Sequence, residues 1–261
     1  MALFNEISSV FDAFYLKTVV KLDGHSIYNQ DIIDFKTGWL INYAILFISA
    51  LTWVNTRKIK NNLVSTVSLA LSFLTVIIFL TLGLYSLSCL RENYLKPLHP
   101  EYFTVTNFNL IFRHISFIFV GLLFAVNRTV IKSSFATSEI KKAFSLTSHT
   151  TILWILTSEL INWMSIAGYS ESYKLGVTIL WGIYALIMIV LGIWKQNQTL
   201  RIAAIVLFGG TLLKLFLYDI ASLTTIAKTI VLVSLGILLL IISFLYNKYK
   251  HFIFGENESE E

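Results

Sequence analysis

The fold is decided by Leu200-Arg-Ile-Ala-Ala-Ile-Val-Leu-Phe-Gly-Gly-Thr-Leu-Leu-Lys-Leu-Phe-Leu-Tyr-Asp-Ile220, an apolar run that is long enough to cross a lipid bilayer. The run nevertheless carries Lys214 in its interior. An ammonium group in hydrocarbon costs about 3 kcal/mol or more unless it finds a polar partner or water. We therefore expect other segments of the chain to supply groups that compensate this charge.

The composition indicates the solvent in which the chain folds. Hydrophobic residues make up 56% of the 261 residues, and only 13% are charged. The mean hydropathy is +0.73. These values do not suit a soluble globule and predict a membrane protein. Two prolines and the lack of a Gly/Ser-rich linker in the sequence favour a single bundle.

Several function classes find no support in the sequence. Cys89 is the only cysteine, so the chain has neither a disulfide framework nor a thiolate metal site of its own. We see no Gly-x-Ser-x-Gly, P-loop or dinucleotide fingerprint, and no tight spacing of metal ligands. The net charge of +5 is attributed to membrane topology. We therefore expect no cofactor, no metal and no nucleic-acid partner.

Residues 1–37 are predicted to form an amphipathic helix followed by a polar loop. Apolar residues in this segment recur at spacings of three and four: Leu3, Phe4, Ile7, Val10, Phe11, Phe14 and Tyr15. Polar residues such as Glu6 and Asp12 fall between them. We expect the helix to lie along the membrane interface, with packing on the bundle as the alternative.

Residues 38–247 are predicted to form an all-α bundle of about seven transmembrane helices. Seven apolar segments approach the length of about 20 residues that a spanning helix requires. They are residues 38–56, 64–89, 107–127, 146–167, 175–194, 201–220 and 226–247. Residues 248–261 form a tail that is first basic and then acidic.

Lysine and arginine are distributed unevenly among the connections. One set of connections is rich in cations: Arg57, Lys58, Lys60, Arg128, Lys132, Lys141, Lys142, Lys195, Arg201, Lys248 and Lys250. The alternate set holds fewer, namely Arg91, Lys96, Lys174 and Lys228. By the positive-inside rule, the N-terminus is predicted outside and the tail in the cytoplasm.

Polar residues within the apolar segments are the candidates for ligand binding: Arg113, His114, Glu159, Asn162, Lys214, Tyr218 and Asp219. With a rise of about 1.5 Å per residue, Arg113, Glu159 and Lys214 fall about 9 to 12 Å below the outer surface. His114 shares this level, and Asp219 lies near the outer mouth. We therefore predict a polar cavity in the outer half of the bundle. It would hold more cationic than anionic side chains, so an anionic ligand would balance its charge.

Each candidate also has a structural interpretation. Glu159 with Lys214 or Arg113 is alternatively an interhelical ion pair that fixes packing. His114 is expected to be a hydrogen-bonded core histidine. In an enzyme, Glu159 or His114 would act as a general base tuned by burial, but the sequence contains no recognisable nucleophile. No catalytic residue is assigned.

The C-terminal part resembles a known family. The matching runs are Ser158-Glu-Leu-Ile-Asn-Trp163, residues 173–186, residues 200–210, Leu213-Lys-Leu-Phe-Leu-Tyr-Asp-Ile220, residues 234–240 and Ser243-Phe-Leu-Tyr246. They resemble an uncharacterised bacterial family of predicted multi-pass membrane proteins, domain of unknown function 2339, over about residues 150–250. The most specific element is a lysine inside the span followed by an aspartate at its end, here Lys214 and Asp219. The resemblance implies a bacterial inner-membrane location and no specific activity.

Three functions follow from these observations. The first is a membrane protein that binds or translocates an anionic envelope lipid or solute, using Arg113 and Lys214 as counter-charges. The second is a scaffold subunit of an envelope complex, in which the ionisable residues satisfy one another and the N-terminal helix docks a membrane protein partner. The third is a membrane-embedded enzyme that modifies an envelope glycan or lipid. The first accounts best for the excess of cations.

Overall fold

A computed structural model describes residues 2–22, 25–132, 136–169, 173–215 and 225–254 of the 261-residue chain. These residues form an all-α membrane helix bundle with one small hairpin, which confirms the predicted fold class. The helices are listed in chain order: α1 Ala2–Lys17, α2 Asp31–Val54, α3 Asn62–Ile78, α4 Leu84–Leu95, α5 Phe108–Ile131, α6 Ser138–Ile166, α7 Tyr173–Trp194, α8 Gln198–Lys214 and α9 Thr225–Phe254.

Two of these helices continue into π-helical turns. Helix α2 continues into Asn55–Ile59, and α3 is joined to α4 through Phe79–Gly83. Four helical segments are long and apolar enough to cross a membrane: Asp31–Ile59, Asn62–Leu95, Phe108–Ile131 and Tyr173–Trp194. They contain the first, second, third and fifth predicted spans. The described parts of the other three predicted spans fall on α6, α8 and α9, so the total of seven stays a prediction.

The described residues divide into two compact units, Met1–Lys141 and Lys142–Glu261. In the first unit, α2 is central and contacts α1, α3, α4 and α5. In the second unit, α7 contacts both α8 and α9. Helix α6 packs on α7 where Gly176 lies against Leu160 and Met164.

The N-terminal segment packs on the first unit. Phe4 of α1 lies against Tyr43 of α2, with ring centroids 6.4 Å apart, and Asp12 pairs with Lys36 at 2.6 Å. Between α1 and α2, strands β1 (Val20–Leu22) and β2 (His25–Ile27) form an antiparallel pair. The predicted amphipathic helix is therefore confirmed as a helix, and it packs on the bundle.

Helix α3 shows that the bilayer is the solvent of this unit. Its buried face carries hydroxyl groups, from Ser65, Ser68, Ser72 and Thr75. Its exposed face is apolar, with Phe73 and Leu74 each 53% exposed. Small polar residues allow close helix packing and hydrogen-bond to the preceding turn, while apolar side chains meet lipid. Such an inside-out pattern would be unstable in water.

Residues 216–224 and 255–261 lie outside the described residues, and so do Asp23, Gly24 and the two short stretches 133–135 and 170–172. Tyr218, Asp219 and the acidic end of the tail belong to these segments. Helix α9 continues to Phe254, seven residues beyond the predicted end of the last span at residue 247.

Candidate functional site

One end of the first unit is organised around Asp31. This residue stands in the first turn of α2 and is 6% exposed. One carboxylate oxygen accepts from the amide of Asn93 on α4 at 2.8 Å, and the other accepts from the amide of Asn109 on α5 at 2.7 Å. The carboxylate therefore joins three helices, and its charge is stabilised by two donors and by the helix N-terminus.

Arg113 lies one turn beyond Asn109 on the same face of α5. Its side chain is 1% exposed, and its guanidinium carbon lies 5.7 Å from the ring of Phe117. Arginine stays charged in proteins and carries five donors in a planar group. The structure thus places a permanent cation in the interior of a helix that is able to span the membrane.

His114 occupies the other side of α5. It is exposed, and its ring lies 6.2 Å from that of Phe117. The expectation of a core histidine is therefore wrong for this residue. Phe112 and Arg113 are both buried, and position 114 lies about 200° around the helix from Phe112, which turns His114 away from that buried face.

A polar contact deeper in the first unit joins α2 and α5. The amide nitrogen of Asn42 donates to the hydroxyl of Ser116 at 3.0 Å, and that hydroxyl donates to the carbonyl of Phe112 at 3.3 Å. Asn42 and Ser116 are each 1% exposed. Ser116 follows Arg113 by three residues, so both lie on one face of α5.

In the second unit, Lys214 contacts the first turns of α7. Its ammonium group donates to the hydroxyl of Thr178 at 2.8 Å and to the backbone carbonyl of Lys174 at 3.3 Å. Thr178 is fully buried. The position near the C-terminus of α8 also favours a cation, because the helix dipole is negative there. These contacts provide the polar partners that we expected for the ammonium group of Lys214.

Glu159 and Asn162 lie three residues apart on α6 and therefore share a face. Asn162 is 2% exposed, and the Oε1 atom of Glu159 is buried. Nearer the start of α6, the hydroxyl of Tyr184 on α7 donates to the carbonyl of His149 at 3.1 Å. The hydroxyl oxygen of Tyr184 also lies 3.0 Å from the Nδ1 atom of His149. When the hydroxyl proton lies on the bond to the carbonyl, Nδ1 is the donor in this second contact, so the pair of contacts favours the Nδ1–H tautomer of a neutral imidazole.

The candidate residues fall in different parts of the structure. Arg113 and His114 belong to the first unit, whereas Glu159, Asn162 and Lys214 belong to the second. Since the candidates belong to separate units, a cavity shared by all of them stays a prediction. Within the described residues, no group of three or more histidine, cysteine or acidic side chains is placed to hold a metal ion.

Sequence reasoning missed Arg91 as a buried cation. The apolar run ends near Cys89 and so predicts a connection at Arg91, but α4 continues to Leu95 and Arg91 is 6% exposed. Its guanidinium group pairs with Glu92. Asn42 was missed as well, since a single asparagine in an apolar run gives little signal. The i, i+7 and i+10 spacing of Asn42, Ser49 and Thr52 marks the polar face on which it lies.

Comparison with known proteins gives one match. The family model described as "Predicted membrane protein (DUF2339)" matches residues 3–249, which includes the N-terminal half as well as the part quoted above. No curated protein and no solved structure matches the chain.

Proposed function

We propose that this chain, which belongs to the DUF2339 family of predicted membrane proteins by the match over residues 3–249, binds or translocates an anionic envelope lipid or solute. We propose further that it is a multi-pass protein of the bacterial inner membrane. In this function Arg113 and Lys214 act as the counter-charges for the anionic group.

The burial of Arg113 is the observation that carries this proposal. A charged side chain inside a membrane-spanning helix is expensive, and such residues usually mark a pathway or a binding site. Arg113 is 1% exposed on Phe108–Ile131, one of the apolar segments long enough to span. Its planar group matches phosphate and carboxylate oxygens in a two-point contact. An anionic ligand is therefore the class that Arg113 recognises best.

Lys214 supports the proposal from the second unit. Its ammonium group donates to the hydroxyl of Thr178 and to the backbone carbonyl of Lys174, and both contacts orient the cation at this end of α7. A lysine presents a point charge on a flexible stem, so it tolerates several positions of the bound group.

The proposal is tested by lipid binding. The protein is purified in mild detergent, and its bound lipids are identified by native mass spectrometry after exchange with phosphatidylglycerol or phosphatidylcholine. We expect retention of the anionic lipid, with Arg113→Gln and Lys214→Met each lowering retention by about tenfold, since the loss of one counter-charge costs about 1.4 kcal/mol. Arg128→Gln is the matched control, because Arg128 is exposed on the same helix. Equal loss in all three variants would contradict the proposal.

The orientation proposed is N-terminus outside and C-terminus in the cytoplasm. The burial of Arg91 inside α4 supports it, since this residue no longer counts toward the connection on the outer side. By contrast Arg57, Lys58 and Lys60 are all exposed after α2, as expected for a cytoplasmic connection. Accessible tags at the N-terminus and after Lys250 test the orientation. Both tags on one side of the membrane would refute it.

A scaffold subunit is the second candidate, and the bonds of Asp31 favour it. The buried carboxylate of Asp31 joins α2, α4 and α5 through Asn93 and Asn109, so a buried charge in this unit already has a structural role. If Arg113 has the same task, Arg113→Gln lowers the thermal stability of the protein and leaves its lipid content unchanged. The lipid measurement described above therefore separates the two functions.

A further inference from the structure

The amide of Asn42 lacks a partner for one of its polar atoms. Its Nδ2 atom bonds to Ser116, but its Oδ1 atom is buried and has no hydrogen-bond partner among the residues that the structure describes. Exchanging the two amide atoms by a flip of the side chain would only leave the nitrogen unsatisfied instead. A buried acceptor without a donor costs about 1 to 3 kcal/mol. The described conformation is therefore strained at this point of the membrane interior.

A π-helical turn packs at the same level. A Cβ atom added to Gly83 would lie 3.5 Å from the side chain of Ile41, the residue before Asn42. At the other end of the turn, the ring of Phe79 lies edge-on to that of Phe117, with centroids 6.2 Å apart. Phe117 follows Ser116 in the sequence, and the guanidinium group of Arg113 lies over the Phe117 ring. The turn Phe79–Gly83 thus contacts both helices that hold the polar group.

Turns of this kind weaken a helix where they occur. A π-helical turn is rare, interrupts the regular pattern of backbone bonds and is often found at functional sites. In a membrane it also gives the helix a place where it bends without exposing further backbone groups to lipid. An opening of α3 and α4 at this turn would uncover Asn42 and Ser116.

We infer that Asn42, Ser116 and Arg113 form an anion-binding site that opens at the π-helical turn Phe79–Gly83 and is closed in the described conformation. This inference rests on the proposed function and assigns its ligand to the first unit. The site combines one cationic group, one hydroxyl and one carbonyl oxygen that requires a donor. Its ligand is an anion that carries a hydroxyl group close to its charged oxygen atoms. A glycerophosphate group has this chemistry, whether in a lipid headgroup or in a free solute.

Opening is tested by the reactivity of introduced cysteines. In a Cys89→Ser background, Ser116→Cys replaces the hydroxyl with a thiol of similar size. The control is Val120→Cys, one turn deeper on the same buried face and 2% exposed. The protein in phosphatidylcholine nanodiscs is treated with an anionic methanethiosulfonate. Because a buried thiol reacts in proportion to the population of the open state, we expect Ser116→Cys to react at least about tenfold faster than Val120→Cys.

Protection identifies the ligand and its source. We expect glycerol 3-phosphate in solution, or phosphatidylglycerol in the nanodisc, to slow the labelling of Ser116→Cys by about tenfold. Protection by the soluble anion indicates a solute, and protection by the lipid alone indicates a headgroup. Labelling that neither anion slows would overturn the anion site. Equal rates at both cysteines, or no labelling at either, would overturn the local opening.

A second variant tests the part played by the π-helical turn. Gly83→Ala places a methyl group 3.0 Å from Phe79 and should slow the labelling of Ser116→Cys. Gly121→Ala is the control, because no described atom lies within 4 Å of its added Cβ. Equal labelling in both alanine variants would show that the turn takes no part. If wild-type protein retains anionic lipid while Ser116→Cys stays unreactive, the proposed function stands and this site is wrong.

Discussion

Gly38→Ala tests the packing on which the first unit depends. A Cβ atom added to Gly38 would lie 2.4 Å from the Cε1 atom of Phe112 and 2.9 Å from its Cζ atom. Carbon atoms in favourable contact are about 3.5 to 4.0 Å apart, so the ring would have to move by about 1 Å. Phe112 is fully buried, with the rings of Phe35 and Trp39 centred 5.2 and 5.3 Å away. It has little room to move.

The magnitude follows from two opposed effects. Alanine is favoured over glycine in a helix by about 1 kcal/mol, whereas overpacking of a filled core costs about 1 to 3 kcal/mol. Gly38→Ala should therefore lower the free energy of unfolding by about 0 to 2 kcal/mol. Gly121→Ala has the same helical gain and no clash, so it should raise the free energy of unfolding by about 1 kcal/mol. The difference between the two variants isolates the packing effect.

Unfolding in detergent, followed by the fluorescence of the six tryptophans, provides the assay. Trp39 belongs to the ring cluster and should report its rearrangement. Adding Phe112→Leu to Gly38→Ala makes room for the new methyl group, so the double variant should be less damaged than the sum of the single changes by about 1 kcal/mol. Strict additivity, or equal stability of the two alanine variants, would refute the contact between α2 and α5 on which the argument depends.

Three other substitutions probe single contacts. Asp31→Asn should lower the free energy of unfolding by about 2 kcal/mol, since the new amide nitrogen would face the amide nitrogen of either Asn93 or Asn109, which now donates to the carboxylate. Unchanged thermal unfolding would contradict the role of Asp31 in joining three helices. Gly192→Ala should lower the free energy of unfolding by about 2 kcal/mol, because the added Cβ would lie 2.7 Å from the Cγ atom of Arg201 in the first turn of α8. Gly210→Ala is the control, since its added Cβ meets no described atom within 4 Å. Equal unfolding midpoints of the two variants would contradict the predicted clash. Tyr184→Phe should release the tautomer of His149, which imidazole nitrogen chemical shifts detect, and shifts identical to those of the wild type would argue against the hydrogen bond.

The sequence predicted the helices better than their ends. Apolar runs locate a membrane helix because lipid requires about 20 such residues, and the part of each predicted span that the structure describes falls on or next to a helix. Helix α2 nevertheless begins at Asp31, seven residues before the predicted span at residue 38. Its first turn looked like a polar loop because the partners that bury Asp31 lie 62 and 78 residues further along the chain. Such distant contacts leave no local pattern.

The hairpin before α2 was also missed. Strands β1 and β2 flank residues 23–24, and the Asp-Gly pair at these positions is a known hairpin signal in the sequence. Each strand has only three residues, which is too short for alternation to be recognised. The turn composition is therefore the better evidence, although a polar turn of this kind also suits a loop without strands.

The sequence indicated which cations need polar partners, but it did not indicate which face of its helix each residue occupies. The positions of Arg113 and Lys214 inside apolar runs indicated that both cations need compensation, and Lys214 does find polar partners. Thr178 could not be identified from the sequence, because a hydroxyl within an apolar helix usually bonds to its own preceding turn. For His114, depth along the helix was estimated from the sequence, but the face that it occupies depends on how α5 packs. The rotation of α5 about its axis was therefore not predictable from the sequence.

The contacts of Lys214 bear on how the protein enters the membrane. Helices α7 and α8 touch at their connection, where Gly192 meets Arg201, and again at the far end, where Lys214 reaches Thr178. The pair is thus an antiparallel hairpin closed at both ends. With the orientation proposed above, Lys214 has to be carried across the hydrocarbon during biosynthesis, which costs about 3 kcal/mol for an isolated lysine. Insertion of the two helices together, with the lysine already bonded to α7, would lower that barrier, so we expect α7 and α8 to enter the membrane as a pair.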